Sequence, residues 1–292
     1  MTGFSIVDAA FTGFRVVRER PKLVAFWAAC LLGFTLLATL ITGPVLTQIQ
    51  SLGPQSFLEP DKLDALIQPY WPSVALVIAV AIILNAVLTA AMNRAVLRPD
   101  DDRFGYLRLG AAELRQLGLI LMLIVLLEAA NLVAASVIGL FFGPSPVGVG
   151  LLLLGILAVW AFVGVRLSLA SALTFDTGRI DLLAAWRATR SRFWPLLGAY
   201  ALSLAMSLCV LLLIGFIAEA VEVLVSGGIA NALKVDSPYV ISIGALAQPA
   251  RLVDLIQGAI STALILSLWM TPPAEIYRSL ASASGALVDR RA

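Results

Sequence analysis

Histidine is absent from the 292-residue chain. With it go the commonest general base near neutral pH and the commonest metal ligand. Charge is scarce as well: Asp, Glu, Lys and Arg make up 13% of the residues, about half the share of a soluble domain. Cysteine occurs only at Cys30 and Cys209, both in apolar runs without a C-x-x-C spacing, which excludes a disulfide framework or zinc site of the usual patterns. There is no Walker loop, dinucleotide fingerprint, G-x-S-x-G or paired-carboxylate hydrolase pattern. The expectation is a protein with no catalytic residues, no metal and no cofactor.

What the chain has in excess is apolar surface. Hydrophobic residues reach 60%, more than one globule of this size can bury, so lipid must cover part of it. Apolar runs at 23–46, 73–96 and 118–141, one ending near Arg166, and two more at 195–217 and 252–270 are each long enough to cross a bilayer core. The last is predicted to end at Pro272-Pro273. The first is far longer than a signal-peptide core and lacks a small-residue cleavage site, so it reads as a retained spanning helix. Uncharged FFGPSPVG predicts a close antiparallel hairpin of the third and fourth spans, and Gly139-x-x-x-Gly143 is a candidate close-packing motif.

Six spans place both termini on one side. Of the 20 Lys and Arg residues, all but Lys62, Lys234 and Arg251 fall on that side, and the positive-inside rule makes it the cytoplasm. The predicted setting is the bacterial inner membrane.

The cytoplasmic segments share a pattern. Phe14-Arg15-Val16-Val17-Arg18-Glu19-Arg20 and Trp186-Arg187-Ala188-Thr189-Arg190-Ser191-Arg192 both read aromatic-Arg-x-x-Arg-x-Arg, each just before a span. Phe4, Val7, Phe11, Phe14 and Val17 recur at helical spacing, as do Phe104, Leu107, Ala111 and Leu114 in a looser middle copy. A third helix is predicted at about 180–193, capped by Asp176 or Thr177, and short helices are expected at 61–68 and in the loop after 217. The even-numbered spans end alike, at Arg94, Arg166 and Arg278. The reading is a single all-α membrane domain of three units (1–98, 99–175 and 176–292), each a cytoplasmic amphipathic in-plane helix followed by a transmembrane hairpin. All units run the same way, unlike inverted-repeat transporters.

The stretch RLSLASALTFDTGRIDLLAAWRATRSRFWPLLG combines an Arg-ended span, a turn, an Ala-Trp-Arg helix and Phe-Trp at the start of the next span. In this layout the chain resembles the membrane-domain group of the bacterial glycerophosphodiester phosphodiesterases and related polytopic families. The resemblance implies a bacterial cytoplasmic-membrane protein. In those enzymes a separate soluble domain carries catalysis; the present chain closes soon after its sixth span, so no activity is expected to come with the likeness.

Two functional readings follow. Arg15, Arg18, Arg20, Arg187, Arg190 and Arg192 are placed to meet anionic headgroups, each worth ~1 kcal/mol, while Arg94, Arg166 and Arg278 are expected to snorkel to the same level or to ring a vestibule. This points to a non-enzymatic scaffold or accessory protein contacting lipids or other membrane proteins. The alternative is a small-solute transporter or channel built on Glu128, about 13 residues or ~20 Å from the outer end of its helix. Asn85 lies at similar depth and Asn131 one turn along. A membrane-embedded enzyme is a third reading. Asp100-Asp101-Asp102, flanked by Arg98 and Arg103, reads as a solvated helix-start cluster. The basic clusters adjoin spans, which favours lipid headgroups over nucleic acid.

Overall fold

The computed structural model describes residues 5–51, 65–100, 103–142, 145–228 and 249–283, and every regular element among them is helical. The α-helices are α1 (Ile6–Glu19), α2 (Pro21–Ser51), α3 (Trp71–Leu97), α4 (Ala111–Phe142), α5 (Pro146–Leu167), α6 (Ala170–Thr177), α7 (Leu182–Arg190), α8 (Phe193–Val225) and α9 (Pro249–Ala283). Six stretches, containing α2, α3, α4, α5, α8 and α9, are long and apolar enough to cross a membrane. Their outward faces are hydrocarbon: Val125 is 69% exposed, Leu132 69%, Phe216 72% and Leu140 82%. Surface of this kind is stable against lipid, not water. The protein is an all-α, multi-pass membrane protein.

The helix ends follow local chemistry. Ser145 caps α5 by accepting from the Gly148 amide at 3.0 Å. Asp181, rather than Asp176 or Thr177, caps α7, accepting from the Ala184 amide at 2.7 Å. The stretch before it is not a simple turn but the separate helix α6, closed by Gly178 in the left-handed conformation at φ 70°.

Two further expectations are corrected. The middle cytoplasmic helix does not form: Phe104, Gly105 and Tyr106 all have positive φ, and no regular helix runs through 103–110 before α4 begins. Nor does α9 end at Pro272-Pro273; it continues to Ala283. Each proline removes one amide donor, which tertiary contacts in a membrane protein can compensate. The helix expected at 61–68 falls mostly outside the described residues; of the loop after 217 in which another was expected, residues 218–225 continue α8 and residues 229–248 lie outside the described residues.

The chain divides into two compact units. One comprises Met1–Arg15, Asn85–Leu204 and Leu268–Ala292. At its centre lies α6, whose Ala170, Ala172 and Phe175 are buried. Small side chains let several helices approach this short element: Leu119 of α4 and Ala185 of α7 pack with Ala170, and Val96 of α3 and Ala274 of α9 with Ala172. Beside it, Ala9 of α1, Val165 of α5, Leu169, Leu196 of α8 and Ile276 of α9 form a second cluster. The other unit comprises Val16–Leu84 and Ala205–Ser267. There α2 turns Val24, Trp27, Ala28 and Leu31 inward at helical spacing, and the Gln48 amide donates to Tyr70 Oη at 2.8 Å.

Candidate functional site

The last turns of α3 carry Asn93 and Arg94 into the first unit, 1% and 5% exposed. Arg94 Nη2 lies 2.5 Å from Glu113 Oε1 at the start of α4, a buried ion pair. Its Nη1 donates to the backbone carbonyl of Tyr106, and its guanidinium stands 5.4 Å from the Phe175 ring centre, with Arg98 at 5.2 Å. Tyr106 is itself 1% exposed and donates its hydroxyl to the Pro99 carbonyl at 2.8 Å. The ion pair and the phenol together hold a backbone turn in which two non-glycine residues occupy the left-handed region, a conformation costing on the order of 1 kcal/mol or more per residue.

Next to the pair, Asn93 Nδ2 donates to Ser171 Oγ at 2.7 Å, Ser171 Oγ donates to Gln116 Oε1 at 3.1 Å, and Gln116 Nε2 donates to the Ser171 carbonyl at 2.8 Å. From α9, Tyr277 donates its hydroxyl to Asp176 Oδ2 at 2.7 Å. Arg278 donates to the Val96 carbonyl at 3.3 Å and pairs with Glu275 at 2.6 Å. These bonds tie α3, α4, α6 and α9 into one clamp. Its polar groups are engaged with one another, which suits a fastening rather than a reacting centre.

Arg166, at the end of α5, sits among three aromatic rings: Phe162 at 5.4 Å, Trp186 of α7 at 5.3 Å and Phe193 of α8 at 5.4 Å. Its Nε and Nη1 are buried without a hydrogen-bond partner among the described residues, and cation–π attraction supplies what hydrogen bonds otherwise would. Thr189 of α7 donates its hydroxyl to the Arg166 carbonyl at 2.8 Å, fastening the same corner. The three span-ending arginines are therefore not alike. Arg94 is a correction to the snorkelling expectation, because a neighbouring carboxylate draws it inward. Arg166 is held by aromatic faces, and Arg278 by Glu275 and a backbone carbonyl.

The other basic residues divide by helix face. On α7, Leu183, Arg187 and Arg190 follow one another at i, i+4 and i+7, and Trp194 stands at the start of α8; all four are exposed, Leu183 at 71% and Trp194 at 76%. On α1, Val7, Phe11, Arg15 and Arg18 fall on one face at i, i+4, i+8 and i+11 and are likewise exposed, while the small residues Ala9, Ala10, Thr12 and Gly13 face inward. Arg20 and Arg192 are half-buried, and Arg192 Nη1 donates to the Ala188 carbonyl at 3.3 Å.

The intramembrane candidates are not brought together. Asn85 accepts from Thr89 at 3.4 Å, and Asn131 accepts from Trp160 Nε1 of α5 at 3.1 Å. Glu128 lies on the exposed surface of α4, and among the described residues no hydrogen bond joins it to Asn85. Among the described residues, nothing outside its own helix lies within 4 Å of where a Cβ of Gly139 would stand, so it does not mark close packing among them; Gly143 lies outside the described residues. Asp100 is exposed, and Asp101 and Asp102 lie outside them.

The sequence reading missed Glu113, Gln116, Ser171 and Tyr277. One signal was present: Glu113 and Gln116 are one turn apart at the start of an otherwise apolar helix, marking an inward polar face. No protein-family model, no curated protein and no solved structure matches the chain.

Proposed function

We propose that the protein is a non-enzymatic scaffold or accessory protein of the bacterial inner membrane, with both termini cytoplasmic. On this reading α1 and α7 lie in the plane of the cytoplasmic leaflet, where they meet anionic headgroups and other membrane proteins. One observation carries the proposal: α7 presents Leu183, Arg187 and Arg190 on a single exposed line, and Trp194 at the start of α8 is exposed as well. Apolar bodies among guanidinium groups suit the boundary between acyl chains and phosphates, the apolar parts sinking and the charges rising to the headgroups. The matching line on α1, backed by a small-residue face that docks on the protein, supports the same role. Glu128, exposed and unjoined to Asn85, gives no comparable support to a solute pathway.

The test is lipid selectivity. In mixed vesicles of phosphatidylglycerol and phosphatidylethanolamine, the protein is expected to retain the anionic lipid on extraction, read by native mass spectrometry. At ~1 kcal/mol per charge, the double substitution Arg187→Gln and Arg190→Gln is expected to lower that preference roughly tenfold to thirtyfold. Equal retention of both lipids by the unsubstituted protein would sink the proposal.

A further inference from the structure

Glu128 is the anomaly that the lipid-contact reading leaves unexplained. It stands near the middle of α4, a 32-residue helix, on a surface shared with Leu121 at 46%, Val125 at 69% and Leu132 at 69% exposure. A carboxyl facing hydrocarbon at mid-span is costly, and ionisable groups at that depth face a protein partner or water. The neighbouring polar groups do not reach it: Asn131 is engaged by Trp160, and Ser136 donates back to the Leu132 carbonyl at 2.8 Å.

We infer that this face of α4 is where a second copy of the chain docks, with the two Glu128 side chains meeting across a two-fold axis normal to the membrane. Depth is the first argument. A copy inserted in the same sense carries its Glu128 at an identical level, so an isologous contact on this face brings the carboxyls together without further adjustment. Chemistry is the second, since two facing carboxyls with a proton between them are hydrogen-bond complements of each other. The third is room. Gly139 lies on the same helical line, three turns from Glu128, exposed and, among the described residues, with nothing outside its own helix within 4 Å of its would-be Cβ. A small residue there lets a second backbone approach closely enough for such a bond.

The experiment counts subunits by photobleaching steps of labelled full-length protein in phosphatidylethanolamine–phosphatidylglycerol vesicles over falling protein-to-lipid ratios. The unsubstituted protein is expected to give two steps. Glu128→Gln, whose amide is also self-complementary, is expected to do the same. Glu128→Leu and Gly139→Leu are expected to move the dimer–monomer midpoint about tenfold towards higher protein density, with helical content by circular dichroism unchanged. Single steps from the unsubstituted protein at every ratio would overturn the inference. So would leucine variants that associate as tightly as the parent, since the contact would then lie elsewhere.

Discussion

Replacing Glu113 with alanine is expected to lower the stability of the protein by about 3–5 kcal/mol, the range for removing one member of a buried ion pair. The side chains of Arg94 and Glu113 are each only 6% exposed, so the orphaned guanidinium cannot recover water without opening the unit. The loss extends past the pair. Arg94 also bonds the Tyr106 carbonyl, and the left-handed turn at 104–106 relies on that contact. A decisive comparison adds the double variant Arg94→Met with Glu113→Leu. If the penalty comes from an uncompensated charge, the double variant recovers most of the stability, because a well-packed apolar pair is close to neutral at such sites. Thermal unfolding in detergent, followed by loss of the monodisperse peak, reads both. Equal melting of the parent and the Glu113→Ala variant would contradict the account.

Leu169→Ala is the second large effect, expected at about 2–5 kcal/mol. Leu169 is 1% exposed and packs where Ala9, Val165, Leu196 and Ile276 converge. The cavity it leaves adjoins helices whose faces are already committed to other neighbours, so little collapse is available to fill it. Since α1 joins this cluster through Ala9, partial loss of α1 should accompany the destabilisation, visible as faster proteolysis after Arg15 and Arg18 at temperatures where the parent resists. Cleavage at parental rates alongside a parental melting temperature would rule this out.

The spans were legible in the sequence because bilayer thickness imposes a length and composition that local reading detects. Each expected run lies within an observed helix, and the main differences are extensions, such as α4 starting at Ala111 and α8 continuing to Val225. The clamp was not legible. Arg94 and Glu113 are separated by 19 residues and an irregular turn, and at the end of a span an arginine facing headgroups and one facing a carboxylate look the same. Helical spacing misled at Phe104, which sits in a left-handed turn whose Tyr106 is drawn into the interior. Glu128 was singled out from its depth alone. The side it faces depends on how α4 packs with α5 and α6, which a period shared by every apolar residue around the helix does not encode.

The two adjacent prolines of α9 have a consequence for how the protein breathes. Pro272 and Pro273 carry no amide hydrogen, so neither can donate the usual rung to the preceding turn, and the two halves of the helix are less tightly linked there. The segment beyond is held instead from the side, by Tyr277 on Asp176, Arg278 on the Val96 carbonyl, and the fully buried Ala274 and Ile276. Its opening is therefore governed by α3 and α6. Hydrogen–deuterium exchange at 274–280 should follow the exchange of α6, and slow or quicken with substitutions there, while the half of α9 before the prolines keeps its own rhythm.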